Sequence, residues 1–293
     1  MIATTKRFRG VSLVVSAALG AVLMSAGTAR AQVTDPNPGA LTFSGALDVP
    51  SLYLFRGIRQ ETDPAFTMWP YADLKIDLMS GGGGGLESAA INIGIWNSLH
   101  TGSAGSDGGP GIHYEEDFYT SFTLGFAGAT SFTTQFTAYT SPNQRFSTVK
   151  EILFRVSQGS TFAPYGLIAF EVGGSGTGQA DGGLDKGTYA EIGIGPSWPL
   201  GGSSTIAVPV KLGFSLADYY ELAGEDNKFG FFDIGALITV PLTGVPSQFG
   251  SWNVHFGGDY FLLGTTTEAF NAGTDGESSK HKVVGLVGFG VSY

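Results

Sequence analysis

The sequence predicts an all-β fold, a single antiparallel transmembrane β-barrel of about twelve strands that follows a cleaved signal peptide. Three features support this: apolar residues alternate with polar or small ones, the breaks between the alternating stretches are long and short in turn, and the last residue is aromatic. Alternation with a period of two is typical of β-strands, because successive side chains point to opposite faces of a sheet. The abundance of glycine, at 46 residues, favours many turns.

The first 31 residues have the three parts of a secretory signal peptide. A basic start at Lys6, Arg7 and Arg9 precedes an apolar run, 11–24, and a small-x-small cleavage site at 29–31. The apolar run is too short for a stable membrane helix, although an uncleaved anchor is the alternative. We predict three parts of the chain: a signal peptide at 1–31, a short periplasmic lead at 32–40 and the barrel at 41–293.

Composition excludes several classes of function. The chain has no cysteine, which excludes disulfides, thiolate metal sites, a cysteine nucleophile and a lipid-anchored lipoprotein. Cleavage of residues 1–31 would remove four basic and no acidic residues, so the formal net charge of -10 would become -14. That acidity argues against nucleic acid as a partner, because neutralising phosphates needs a basic surface.

The alternating stretches follow one another from Leu41 onward. In chain order they cover 41–58, 65–78, 87–98, 114–127, 130–140, 148–157, 162–172, 186–198, 205–217, 228–240, 249–262 and 280–293. In the second, Asp73, Lys75 and Asp77 alternate with apolar residues, so one face meets water and the other lipid. Pro50, predicted as a bulge or bend, and the weak alternation of the seventh stretch leave ten or fourteen strands open.

The breaks between the stretches differ in length by their position in the order. Most long breaks follow odd-numbered stretches, as at 100–113, 173–185, 219–227 and 263–279, and short ones follow even-numbered stretches, as at 128–129. An outer-membrane barrel has short periplasmic turns and long outer loops, which is the pattern seen here. The long breaks carry much of the acid and suggest a weak cation preference, at Asp107, Asp181, Asp185, Glu221, Glu225, Asp226, Glu268, Asp275 and Glu277.

The face of the strands that carries polar residues is predicted to line the lumen. Its charged members are Arg56, Asp73, Lys75, Asp77, Asp117, Glu151, Arg155, Glu191, Lys211, Asp233, His255 and Asp259. Charges of both signs in a water-filled lumen set selectivity by field and radius. The alternative is that these groups pair across the lumen and close it, as in small barrels.

Two segments resemble the best-marked motifs of the TorF-like porin family of Gram-negative outer-membrane proteins. They are Leu52-Tyr53-Leu54-Phe55-Arg56-Gly57-Ile58-Arg59-Gln60 and Asn92-Ile93-Gly94-Ile95-Trp96-Asn97-Ser98. Together with the signal and the aromatic end, the resemblance covers roughly the first third of the chain and its end. It implies an outer-membrane barrel with a pore function, and it implies no particular substrate.

No motif predicts catalysis, a cofactor or a metal. The run Gly81 to Gly85 lacks the Lys-Ser/Thr of a phosphate-binding loop, and the four histidines are scattered. A hydrolase pair of Ser279 and His281 at the rim is a weak alternative, and paired carboxylates at 115–117 are weaker still. We therefore predict that the protein is not an enzyme.

The predicted function is passive diffusion of small polar or charged solutes through a narrow lumen in the outer membrane of a Gram-negative bacterium. The runner-up is a closed-lumen barrel with an envelope-structural or surface-interaction role. A rim hydrolase is the third alternative and a secreted soluble β-sandwich lectin the fourth. The expected partners are outer-membrane lipid, small solutes and the barrel-assembly machinery, which would recognise the terminal strand ending at Tyr293. The sequence leaves the oligomeric state open.

Overall fold

The computed structural model describes residues 39–105, 111–174, 185–273 and 276–293. The predicted signal peptide, 1–31, and all but the last two residues of the predicted lead, 32–40, lie outside the described residues. The loop acids Asp107, Asp181 and Asp275 lie outside them as well.

In the part of the chain that is described, no helix is long and apolar enough to cross a membrane.

The sheet is built from twelve strands, two of which are interrupted. In chain order they are β1 Leu41–Pro50, β2 Thr67–Ser80, β3 Leu86–His100, β4 His113–Phe126, β5 Thr130–Thr140, β6 Val149–Gln158, β7 Tyr165–Gly174, β8 Thr188–Ile194 with Ser197–Gly201, β9 Ser204–Ala207 with Val210–Ala217, β10 Phe229–Pro241, β11 Ser251–Leu263 and β12 His281–Ser292. The interruptions coincide with Pro196 and Pro209, since proline has no N–H to donate to a ladder.

The sheet closes on itself. Each strand pairs antiparallel with its neighbours in sequence, and β12 pairs with both β11 and β1, from Ser44 opposite Ser292 to Pro50 opposite Leu286. Tyr293 continues this ladder, because its N–H and C=O both bond to Phe43, at 2.7 Å each. The prediction of one antiparallel β-barrel of about twelve strands is confirmed.

The two faces of the wall differ as a membrane protein requires. Side chains such as Leu74, Ile93, Phe118 and Phe256 point outward and stay exposed, while alternate residues such as Asp73 are buried inside. Water would not tolerate so continuous an apolar outer surface, whereas lipid favours it. A closed barrel also satisfies every backbone group within lipid. The protein is therefore an outer-membrane β-barrel.

The ends of the barrel are unlike. One end, which we call the loop end, carries the connections 51–66, 101–112, 141–148, 175–187, 218–228 and 264–280. The other, the turn end, carries the connections 81–85, 127–129, 159–164, 202–203 and 242–250. Most of the longer connections thus lie at one end, as the breaks in the sequence predict. The longest includes the one α-helix that the described residues form, α1 Thr265–Phe270.

The prediction that the first alternating stretch forms one strand from Leu41 to Ile58 is wrong for its second half. β1 ends at Pro50, and the chain then turns into the lumen instead of continuing along the wall. Residues 51–66, which we call the inserted segment, contain a small hairpin of Leu54–Phe55 paired with Ile58–Arg59. Arg56 was therefore predicted to lie on a strand but lies in the turn of this hairpin.

Candidate functional site

The inserted segment fills the lumen near the loop end with apolar side chains on both of its faces. Tyr53 and Phe55 pack into one aromatic cluster with Trp69, Trp96 and Tyr139. Leu54 and Ile58, on the other face, pack into a second cluster that includes Tyr189, Tyr219, Tyr220, Phe231 and Phe261. Tyr53 lies 5.1 Å from Trp69 and 5.5 Å from Trp96 between ring centroids, and Trp96 is fully buried. The loop-end half of the lumen is thus packed.

The hairpin turns at Arg56-Gly57, where both residues have positive φ, at 48° and 81°. Two consecutive positive φ angles are the mark of the type I′ turn that joins tightly paired strands. A Cβ on Gly57 would lie 3.0 Å from the ring of Phe231 and 3.2 Å from its Cβ, so the turn approaches β10 closely. Glycine meets both the angle and the contact.

Arg56 fastens the tip of the hairpin to the opposite wall. Its two terminal nitrogens donate to the two carboxylate oxygens of Glu151, at 2.7 and 2.9 Å, and one also donates to the Tyr219 hydroxyl at 3.0 Å. The guanidinium lies 4.1 Å from the ring centroid of Tyr189. Burial alone would lower the pKa of Arg56, but the Glu151 carboxylate raises it well above its ordinary value. Two parallel charge-assisted hydrogen bonds thus hold the tip in a nearly enclosed site.

Glu61 fastens the far end of the inserted segment. One carboxylate oxygen accepts the N–H of Ala104 at 2.7 Å, and the other lies 2.8 Å from Nδ1 of His100. Nε2 of His100 lies 2.6 Å from the Ser98 hydroxyl. Glutamate, histidine and serine thus follow one another in the order of a hydrolase triad, but the contact between Glu61 and His100 is not a hydrogen bond. All three side chains are buried, so a substrate has no access to them in this conformation, and their contacts join the inserted segment to β3.

The outer connections cover the inserted segment from the loop end. The Tyr220 hydroxyl donates to the carbonyl of Arg56 at 2.8 Å, and the Asn271 amide donates to the carbonyl of Gly57 at 2.7 Å. Arg59 donates to the carbonyl of Ala272. Each of these bonds joins a side chain to a backbone carbonyl, and two of the carbonyls belong to the buried residues Arg56 and Gly57.

The turn-end half of the lumen remains partly accessible to water. The side chains of Lys75, Asp77 and Lys211 keep 15 %, 33 % and 17 % of their surface exposed, whereas Glu151 beneath the inserted segment keeps 1 %. We call this turn-end half of the lumen, with its partly exposed charged side chains, the vestibule.

The predicted lumen residues fall into pairs and small groups. Lys75 pairs with Asp77 and Lys211 with Asp233, each at 2.7 Å, and Asp259 packs over Gly235 beside the second pair. Asp73 accepts the Tyr119 hydroxyl at 2.6 Å. His255 lies 2.7 Å from Asp48. The structure does not gather all of these residues at one point, and their role in solute passage stays a prediction.

Three further members of the predicted set have distinct surroundings. Glu191 accepts the hydroxyls of Tyr165 and Tyr189, at 2.6 Å each, one on each carboxylate oxygen. Arg155 stacks on the ring of Tyr165. Asp117 is buried beside Glu115, and among the described residues neither of its carboxylate oxygens has a hydrogen-bond partner.

The rim residues do not form the hydrolase pair weighed from the sequence. The Ser279 hydroxyl bonds to the backbone of His281, and the His281 ring lies 2.6 Å from the Tyr260 hydroxyl instead. Within the described ranges, no group of three acidic or histidine side chains is placed to hold a metal ion.

Several residues of the site escaped the sequence analysis. Asp48 stands on the inward parity of β1 and was detectable from the alternation, but it was not included among the lumen residues. Glu61, Tyr219 and Asn271 lie in connections, where no periodicity indicates which side chain points into the lumen.

The chain is similar to known proteins in fold and not in sequence. No protein-family model matches the chain, and no curated protein matches its sequence. Similar solved structures include a NanC porin, with 11 % identity, TM-score 0.43 and coverage of 86 % of this chain and 99 % of that one. The outer membrane phospholipase A from Escherichia coli has 13 % identity and a TM-score of 0.44, with coverage of 89 % of this chain and 94 % of that one. The COG4313 outer membrane channel from Pseudomonas putida F1 has 7 % identity and a TM-score of 0.43, with coverage of 88 % of this chain and 97 % of that one. All three are outer-membrane proteins, and at these values the likeness assigns no activity to this chain.

Proposed function

We propose that this barrel is a channel for passive diffusion of small polar or charged solutes, and that the inserted segment closes its lumen in the conformation described. The observation that carries the proposal is the change along the lumen from a partly wet, charged vestibule to an enclosed segment of loop. A lumen that served only as a packed core would gain nothing from charged groups left open to water at one end.

The manner in which the inserted segment is held supports a removable closure. Among the described residues, the hydrogen bonds that hold its tip involve side chains. Arg56 bonds to the wall, and Tyr220 and Asn271 of the outer connections bond to the backbone of the tip. The backbone of Gln60 bonds to that of Tyr53 within the segment itself. Withdrawal would therefore leave all twelve strands of the barrel paired.

A closed-lumen barrel with a structural role in the envelope is the second candidate. The two aromatic clusters favour it, because burying side chains of this size stabilises the inserted segment by about 1.5–3 kcal/mol for each large apolar residue. The two candidates differ in whether the segment ever leaves the lumen.

We also propose membership of the TorF-like porin family. The two segments that carry the resemblance contact each other inside the barrel, since Tyr53 of the first packs on Trp96 of the second. A shared contact gives a physical reason for both motifs to occur in one chain.

A reversible crosslink between the inserted segment and the wall tests the channel proposal. The chain has no cysteine of its own, so the double variant Gly57→Cys/Phe231→Cys forms one defined disulfide. The expected Cβ separation of 3.2 Å is close to the range of natural disulfides. Single-channel currents of the refolded protein would be recorded in a planar bilayer, first oxidised and then after reduction in the same bilayer.

The proposal expects silence from the oxidised protein and discrete current steps after reduction, since only the crosslink changes between the two states. Each single-cysteine variant controls for the substitution itself and should not respond to reductant. A salt gradient would give the sign of selectivity and test the expected weak cation preference of the outer loops. Silence in both states, from protein shown to be folded and inserted, would favour the closed-lumen candidate.

A further inference from the structure

Arg155 differs from three other positively charged residues inside the lumen. Arg56, Lys75 and Lys211 each pair with a carboxylate. Arg155 has neither a hydrogen bond nor an ion pair within the part of the chain that is described, and its buried Nε has no partner. A guanidinium carries five N–H donors, and an enclosed arginine normally has most of them bonded.

The carboxylate of Glu191, which shares Tyr165 as a neighbour with Arg155, is engaged by other groups. Glu191 accepts Tyr165 on one oxygen and Tyr189 on the other, at 2.6 Å each. The Tyr165 ring in turn lies 3.8 Å from the Arg155 guanidinium and packs over Gly193, where a Cβ would come within 2.6 Å of the ring. The tyrosines thus hold Glu191 away from Arg155, and the stacked ring holds the guanidinium in place.

The position of Arg155 makes it accessible to a solute. It points inward from the turn-end half of β6, between Thr133 on β5 and Leu167 on β7. Its side chain is partly exposed, and Tyr165 beside it is the first residue of β7 at the turn end. A ligand can therefore reach it through the vestibule while the inserted segment is in place.

We propose that Arg155, supported by Tyr165, binds the carboxylate of a small solute in the vestibule. This inference rests on the proposed function and names one class of solute that the vestibule binds, whereas the predicted weak cation preference concerns the outer loops at the other end. The planar guanidinium fits a carboxylate with two parallel hydrogen bonds. The neighbouring acid Glu191, which shares Tyr165 with Arg155, repels a dianion more strongly than a monoanion, and this favours a solute with one carboxylate over phosphate.

Binding of propionate to the refolded protein in detergent, followed by saturation-transfer NMR, tests this. The wild type is expected to give a saturable signal, and Arg155→Gln to weaken the affinity by at least about tenfold. Lys150→Gln removes a positive charge from the same strand, but from its exposed outer face, and should bind as the wild type does. Equal binding by Arg155→Gln and the wild type would overturn the inference.

Tyr165→Phe separates positioning from simple packing. It keeps the aromatic ring but frees one oxygen of Glu191, which can then pair with Arg155 and compete with propionate. Binding should weaken in Tyr165→Phe and recover in Tyr165→Phe/Glu191→Gln. If binding does not recover in the double variant, Glu191 is not the group that competes with propionate. Stronger binding of inorganic phosphate than of propionate would overturn the carboxylate assignment.

This measurement is independent of conduction. A protein that binds propionate but passes no current keeps the site and loses the channel. A protein that conducts without binding keeps the channel and loses the site.

Discussion

Arg56 and Glu151 are 95 residues apart in sequence and form a two-point ion pair inside the barrel, at 2.7 and 2.9 Å. The pair joins the tip of a connection to β6 near its loop end, so it crosses the part of the lumen that the connection fills. Both side chains are almost completely buried. An enclosed pair of this kind contributes mainly to specificity, because the cost of removing two charges from water offsets most of their attraction.

Arg56→Ala should displace the inserted segment. Glu151 would lose its partner, and an unpaired buried charge costs about 3–5 kcal/mol, a shift of more than about a hundredfold toward the displaced conformation. We expect frequent current steps from Arg56→Ala in planar bilayers and few from the wild type. Lys186→Ala, which removes an exposed positive charge near the loop end, is the matched control and should behave as the wild type does.

Replacing Glu151 as well refines this prediction. In Arg56→Met/Glu151→Leu both charges are gone, and apolar side chains of similar size can refill the space, so closure should return at least in part. Equal opening of the single and double variants would show that the ion pair is not what holds the segment.

Gly57→Ala should weaken closure more than a glycine substitution elsewhere does. A left-handed conformation costs a non-glycine residue about 1–2 kcal/mol, and here the new methyl group would also press on Phe231 at 3.0 Å. Gly84 has a similar φ of +73° in a turn at the other end, with no atom near its Cβ position, so Gly84→Ala isolates the backbone cost. The temperature of heat denaturation should fall for both variants, but only Gly57→Ala should increase conductance. Similar conductance from both variants would contradict the contact at Phe231.

The strands were predictable because each has one face in lipid and one in the lumen. Phe118 and Phe136 lie outside and Asp117 and Tyr139 inside, in the alternation that the residues themselves carry. The inserted segment was not predictable in this way. It also alternates, with Tyr53 and Phe55 against Leu54 and Ile58, but each set packs into a different cluster inside the lumen. A period of two indicates an extended chain and does not indicate where that chain lies.

The charged lumen residues were predictable as a set, and their pairings between strands were not. Lys75 and Asp77 lie two residues apart on one strand, so the alternation already places them side by side. The pairing of Lys211 with Asp233 depends on the register of β9 against β10, which the alternation leaves undetermined. The sequence did not indicate that Arg155 lacks an ion pair. This depends on two tyrosines from other strands, which donate their hydroxyls to Glu191.

Closure should weaken as the pH rises. Burial raises the pKa of Glu61, and the Ala104 N–H and Arg145 oppose this only in part. The inserted conformation therefore binds the Glu61 proton more tightly than the displaced one. Its advantage is complete below the ordinary glutamate pKa, about 4.3, and is lost as the pH rises through the raised value. The open fraction in bilayers should accordingly increase between mildly acidic and neutral pH.

Glu61→Gln tests the origin of that dependence, since glutamine has no proton to lose there and can still accept the Ala104 N–H. The open fraction of the variant should vary less with pH than that of the wild type. The other groups facing Glu61, which are His100, Asp63 and Arg145, remain in both proteins. An unchanged pH profile in Glu61→Gln would assign the effect to one of them.

Ile93→Arg should destabilise the barrel, whereas Ile112→Arg should not. The two isoleucines are almost equally exposed, at 53 % and 50 %, but Ile93 lies in the middle of β3 and Ile112 in a connection at the loop end. An arginine on the lipid face near the bilayer midplane costs about 2–4 kcal/mol, and one outside the membrane costs little. Denaturant unfolding from lipid vesicles would measure both. Equal stability of the two variants would mean that lipid does not cover the exposed face at Ile93. The assigned membrane-facing band of the barrel would then be wrong.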